Sequence, residues 1–254
     1  MRAHVVSKGE MRITFIGTGD AFGSGGRFNT CFQLETSAAT VLIDCGASSL
    51  IAMNRLNIDR NRIDAIILSH LHGDHFGGLP FLLLECQFIS QRSRPLIIAG
   101  PPGVEARVMA LAEAMFPGSS TAKRSFAVDY VEIEPGSPCT ICGIAVESRA
   151  VIHPSGAPAT ALRLECDGKV FAYSGDTEWT DVLFEIARDA DLFVCECYAR
   201  DREIPYHLCY GTLVERRAEF TARRMMLTHM GREMLADLSQ IAFEAAEDGR
   251  VVSF

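Results

Sequence analysis

Ala65-Ile66-Ile67-Leu68-Ser69-His70-Leu71-His72-Gly73-Asp74-His75-Phe76-Gly77-Gly78 is the stretch of this 254-residue chain that decides its fold. It opens on four apolar residues that read as a buried strand and closes on glycines before the helical pattern of Leu79 to Phe88. Three imidazoles and a carboxylate within six residues thus stand at the C-terminal end of a strand, where functional groups collect in α/β proteins. Given seven His and 14 Asp in the chain, a chance His-x-His-x-Asp-His has odds of about 3 in 10,000, so the string carries information. Four such polar groups crowded together without partners would be costly to desolvate. Imidazole and carboxylate in combination suit zinc, with manganese or iron as alternatives.

Working outward, Arg12 to Ile16, Cys31 to Leu34, Val41 to Asp44, Ile63 to Leu68, Leu96 to Ala99, Ala161 to Glu165, Val170 to Tyr173, Leu192 to Cys195 and Met225 to Leu227 read as strands. They alternate with helical patterns over Ser48 to Leu56, Leu79 to Phe88, Val104 to Met115, Glu178 to Arg188, Leu213 to Arg223 and Glu233 to Ala246. This is an α/β pattern without internal repeats or a low-complexity linker, so a single domain is expected over residues 11–254, after a loose tail over residues 1–10. The glycine-rich segment from Gly17 to Arg27 lacks the spacing of a dinucleotide fingerprint and leads into a strand instead of a helix.

Composition narrows the class further. The chain is 48% hydrophobic and 22% charged, as ordinary globular proteins are, and its apolar runs fall short of the roughly 18–20 residues of a membrane span. The polar first ten residues lack a secretory apolar region, so a cytoplasmic location is expected. The nine scattered cysteines read as reduced core thiols, and Cys139 and Cys142, a lone CxxC pair, as a turn ending in Gly143. A net charge of −8, with 21 Arg spread along the chain and only three Lys, is not the usual footprint of a nucleic-acid binder.

One string cannot complete two coordination spheres. Three more candidates share its context, each just after an apolar run: His153 after Ala150-Val151-Ile152, Asp176 after Phe171 to Gly175, and His229 after Met225 to Thr228.

Taken in order, Phe15-Ile16-Gly17-Thr18-Gly19, Leu42-Ile43-Asp44-Cys45-Gly46, Ser69 to Gly78, Gly100-Pro101-Pro102-Gly103, His153, Ser174-Gly175-Asp176-Thr177 and Leu227-Thr228-His229 resemble the metallo-β-lactamase superfamily, and within it the ribonuclease Z-like phosphodiesterase branch. The resemblance implies a four-layer αββα sandwich with the metal site at one edge. It implies that His70, His72 and His153 hold one ion, that Asp74, His75 and His229 hold the other, and that Asp176 bridges the two. Asp74 also counts as catalytic, and the nucleophile is a hydroxide held between the ions. Glu196 and His207 match a Glu–His pair that acts at the leaving group, although the residues flanking both depart from the branch's motifs. In the glycine-rich loop, Arg27 is a candidate contact to a phosphate oxygen.

The branch's transfer-RNA enzymes insert a long basic arm before the bridging Asp, whereas here 22 residues separate His153 from Asp176, room for two strands and a turn at Asp167-Gly168. The expected activity is therefore hydrolysis of a small or nucleotide-like phosphodiester, with RNA disfavoured as a partner, no membrane partner, and a homodimer as the assembly. The alternatives are transfer-RNA 3′-end processing and a non-catalytic binding module on the same fold.

Overall fold

The computed structural model describes residues 6–254. Of the expected N-terminal tail, residues 1–5 lie outside the described residues; Val6 is buried, and Ser7 to Glu10 form a turn closed by the Glu10 amide on the Ser7 carbonyl at 3.1 Å.

Six strands build most of a first sheet: β1 (Arg12–Gly17), β2 (Cys31–Glu35), β3 (Thr40–Ile43), β4 (Ala65–Ile67), β5 (Leu96–Gly100) and β6 (Val128–Glu132). A second sheet carries β7 (Cys139–Ile141), β8 (Ile144–Ala150), β9 (Thr160–Cys166), β10 (Lys169–Tyr173), β11 (Leu192–Glu196), β12 (Met225–Thr228) and β13 (Glu244–Ala245), and β14 (Val251–Ser253) returns to the free side of β1. In the first sheet β3, β4, β5 and β6 run parallel; in the second β10, β11, β12 and β13 do. Neighbouring strands elsewhere are antiparallel.

Both sheets are covered on both faces, and the alternation of side chains shows how. In β3, Val41 and Ile43 join the central core while Leu42 joins the outer one; in β11, Leu192 and Val194 face the centre while Phe193 and Cys195 face out. The sheets pack on each other through the edge-to-face contact of Phe32 with Tyr173 at 5.3 Å, and Phe15 beside Phe32 in the first sheet extends the aromatic cluster at 5.2 Å. Helices α1 (Ser49–Leu56), α2 (Gly73–Phe76), α3 (Leu79–Phe88) and α4 (Val104–Met115) cover the first sheet, and α5 (Val182–Ile186), α6 (Tyr210–Arg216) and α7 (Arg232–Leu235) the second. The layers are αββα, as expected.

Two helical expectations shrink. The one over Glu178 to Arg188 is only α5, and the one over Leu213 to Arg223 begins earlier and ends in a 3-10 turn at Arg217–Glu219. A third fails: Glu233 to Ala246 holds α7, a 3-10 turn at Leu238–Gln240 and β13. Pairing overrides periodicity there, because the Ala246 amide reaches the Leu227 carbonyl at 2.8 Å and Glu244 binds Arg224 at 2.6 Å. In the CxxC segment Cys139 to Ile141 form β7, so the expected turn is confined to Cys142 and Gly143, both at positive φ, between β7 and β8, and all nine cysteines are unpaired. No helix of the described residues is long and apolar enough to cross a membrane.

Candidate metal centre

Parallel strands of both sheets deliver their C-terminal ends to one edge: β4 leads into His70, β10 into Asp176, β11 ends on Glu196 and β12 leads into His229. The loop after β4 is seated by close backbone contact. The Cys45 amide donates to the His75 carbonyl at 2.6 Å, and a Cβ on Gly46 would stand 2.1 Å from the Asp74 carbonyl oxygen, so only glycine fits. Gly175, at φ +61, turns the chain so that Asp176 enters the cluster; a side chain there would meet the Thr160 carbonyl at 2.5 Å.

The seven expected ligands come together in two groups. His70, His72 and His153 form one, and Asp74, His75, Asp176 and His229 the other, with ligand atoms in each group within 4.8 Å of one another. His72 Nδ1 faces His153 Nε2 at 3.0 Å. Asp176 Oδ2 lies 3.2 Å from His75 Nε2, 3.2 Å from His229 Nε2 and 4.0 Å from His70 Nε2, so one carboxylate touches both groups. Six of the seven histidines are gathered here; the seventh, His4, lies outside the described residues.

Whether this set fits a metal can be judged from its unmet bonds. His70 Nε2, His75 Nε2 and Asp176 Oδ1 are buried without a hydrogen-bond partner, a deficit of about 1–3 kcal/mol for each such group. Each lies in a cluster of nitrogen and oxygen donors of the kind that binds zinc. The residues fit.

Three of the imidazoles are oriented from behind. Asp44, fully buried at the end of β3, accepts from the Ser69 amide and hydroxyl at 2.7 and 2.8 Å and holds His75 Nδ1 at 2.7 Å. The Tyr206 carbonyl holds His153 Nδ1 at 2.8 Å, and the Ser69 hydroxyl lies 3.1 Å from His70 Nδ1. Such contacts fix the tautomer of a ligating ring. Asp44 is the functional residue not singled out from the sequence, although it follows an apolar run just as His153, Asp176 and His229 do.

The two groups differ in charge. Burial lowers the pKa of His70, helped by the neighbouring charge of His75, and burial likewise lowers that of His153, so both rings favour the neutral form. Burial also opposes charge on His75 and His229. There Asp176 and Asp74 prevail, lifting His75 well above its usual range and His229 to about 9. Burial would raise Asp74 and Asp176, but the charges of His75 and His229 hold both below the usual carboxylate range.

Glu196 is fully buried and accepts from the Thr177 amide at 2.6 Å. His207 Nδ1 sits 3.2 and 3.3 Å from its two oxygens, and the His207 ring stacks on His229 with centroids 5.6 Å apart. Burial raises the Glu196 carboxyl. Burial would lower His207, yet the hydrogen bond and charge of Glu196 raise it. His207 and the expected ligands His72, Asp74, His153, Asp176 and His229 share one cavity of about 280 Å³.

Arg27 is not brought to this cavity. Its Nη1 donates to the Ala246 carbonyl at 2.6 Å and the Thr18 hydroxyl at 3.1 Å, beside Asp248 and Glu247, so the expected phosphate contact gives way to one that ties the glycine-rich loop to the chain end. Between His153 and Asp176 lies only the β9–β10 hairpin, turned at Asp167 and Gly168.

The chain is similar to known proteins over nearly its whole length. Ribonuclease Z of Methanosarcina acetivorans is 26% identical, with 91% of this chain and 91% of that protein covered. Among solved structures, the metallo-β-lactamase fold protein YhfI from Bacillus subtilis superposes with a TM-score of 0.76 at 21% identity, covering 96% of this chain and 100% of its own. The short form of human tRNase Z gives 0.76 at 23% identity, covering 95% and 98%. This is therefore a metal-dependent hydrolase of the ribonuclease Z-like kind. The family model described as Anti-Pycsar protein Apyc1 matches residues 11–247, and the chain, whose fold is that of the metallo-β-lactamase fold protein YhfI, belongs to that family.

Proposed function

We propose that this hydrolase cleaves a small, nucleotide-like phosphodiester, such as a cyclic nucleotide, with two divalent ions, zinc first and manganese or iron as alternatives. One observation carries the reading: His207, held by the buried Glu196, lines one cavity with His72, Asp74, His153, Asp176 and His229, five of the seven expected ligands. In this reading His70, His72 and His153 hold one ion, Asp74, His75 and His229 the other, and Asp176 both. When bound, such ions acidify water and neutralise phosphoryl oxygens.

The chain's own residues do the rest. Glu196 fixes His207 through Nδ1 and favours its protonated form, which leaves Nε2 to hand a proton to the departing alkoxide. Asp44 keeps the His75 ring turned to the cluster. The short β9–β10 hairpin and the net charge of −8 support a small substrate over a folded RNA.

The test is turnover of bis-p-nitrophenyl phosphate by zinc- or manganese-loaded protein. Metal-dependent release of nitrophenol is the expected result, and a folded, metal-loaded sample without activity would overturn the reading. Transfer-RNA 3′-end processing is the second reading, favoured by the likeness to Ribonuclease Z. Its marks are cleavage of a precursor and binding that weakens steeply with salt. The proposal also takes residues 11–254 as one domain and places the enzyme in the cytoplasm, which nine unpaired cysteines support. It further pairs the chain as a homodimer, which sedimentation at two concentrations tests.

A further inference from the structure

Among the described residues Phe22 is the most exposed of the large apolar side chains, at 82%, and it stands on the glycine-rich loop at the mouth of the candidate metal cavity. Isolated exposed apolar residues are ordinary on a protein surface. This one is held in place. The fully buried Asp20 carboxylate accepts from the Phe22 amide at 3.2 Å, the Ser24 amide at 2.8 Å and the Ser24 hydroxyl at 2.7 Å, while Asn29 Nδ2 donates to the Asp20 carbonyl at 3.0 Å. Beyond it, Gly25 lies so close to α7 that a Cβ there would stand 2.9 Å from Leu235 Cδ1. A buried carboxylate and a packed glycine thus fix a loop whose tip presents a bare aromatic ring.

The cavity has two chemistries. Imidazoles and carboxylates form one side; Ala21, Phe22, Tyr198 and Ile204 supply apolar wall. Tyr198 is half-buried and leans on His207, with centroids 5.0 Å apart and planes at 35°. A phosphodiester divides in the same way, into a charged centre and the organic groups it joins. Flat rings at the rim match an organic group that is itself flat, and every nucleobase offers such a face.

We propose that Phe22 is a specificity-determining residue of this hydrolase, its ring stacking on the planar base of a nucleoside phosphodiester whose phosphate lies at the metal cluster. The inference rests on the phosphodiesterase reading and adds to it the residue that reads the base.

Isothermal titration of zinc-loaded protein with a nucleoside 5′-monophosphate and with ribose 5-phosphate, which lacks the base, tests it. Wild type should prefer the nucleotide by about 10- to 100-fold, the range of one base–aromatic stack. Phe22→Ala should abolish that preference, and Phe22→Trp should retain it and add tryptophan emission quenched by the nucleotide, measured above the background of Trp179, the single tryptophan of the chain. A wild type without preference, or a Phe22→Ala that keeps it, overturns the proposal. So does a Phe22→Ala that changes only the oligomeric state, which would assign the ring to a contact between copies. Turnover of bis-p-nitrophenyl phosphate by wild type separates the two levels: activity without base preference sinks this inference alone, and no activity sinks the reading beneath it.

Discussion

The two halves of the proposed metal centre are built from different chemistry. His70, His72 and His153 offer three imidazoles and no carboxylate, and burial holds at least His70 and His153 toward neutrality. Asp74, His75, Asp176 and His229 set two carboxylates against two imidazoles that carry protons when no metal is bound, with the buried Asp44 behind them. An ion entering the first half displaces little charge. An ion entering the second must expel protons and is then held by more negative charge. The halves should therefore bind with different pH dependence and strength, coupled through Asp176.

The largest break in that comparison is Asp176→Ala. Because its Oδ2 reaches His75, His229 and His70, both halves should lose metal and activity should fall by more than the roughly tenfold to hundredfold typical of residues behind the ligands. Elemental analysis still finding two metals per chain in that variant would refute the bridge.

His207→Ala should leave both halves loaded and lower turnover by about 10²–10⁴-fold on substrates with poor leaving groups, the range of a general acid. On a nitrophenyl substrate, whose leaving group needs little protonation, the loss should be small. Equal losses on both substrates, or loss of metal, would remove His207 from the proton-donor role.

Asp44→Asn sharpens the comparison, since Asp44 holds His75 directly and reaches the three-imidazole half only at His70, through the Ser69 hydroxyl. Zinc affinity of the carboxylate half should fall by about 10- to 100-fold while the other half changes little. Competition with a chelator, read as two separate dissociation steps, would show this; equal weakening of both steps would contradict it.

The smallest expected effect is in pH. The His229 pKa is raised to about 9 in the metal-free protein, so below that pH the ring carries a proton that a metal must displace. Zinc affinity of the carboxylate half should rise with pH up to about 9 as His229 gives up its proton, with proton release detected by calorimetry in buffers of different ionisation enthalpy. A flat profile between pH 7 and 9, on the order of two units below and up to that pKa, would contradict the assignment.

The same two halves differ in how far the sequence revealed them. His70, His72, Asp74 and His75 are contiguous, and their strand-end context is local. His153, Asp176 and His229 are dispersed, yet each repeats that context, and the structure brings all seven together. Asp44 has the same context after Val41-Leu42-Ile43 and was legible in principle; its task, holding His75 from behind, depends on a contact across 31 positions. The contacts of Arg27 were hidden for a related reason. Besides the nearby Thr18 hydroxyl, it reaches the Ala246 carbonyl and the charge of Asp248, more than 200 residues along the chain, and only folding brings those near. The misassigned helix after Glu233 shows local periodicity yielding to pairing of Glu244 and Ala245 with β12. Layers and ligand types are local properties of sequence, whereas orientation and long-range pairing are not.

The most direct measurement is a titration of metal-free protein with zinc while following turnover of bis-p-nitrophenyl phosphate. If the two halves act as one centre, activity should climb to a plateau at two zinc ions per chain, with little at the first equivalent. A plateau at one equivalent, or two ions bound without any turnover, would contradict the account.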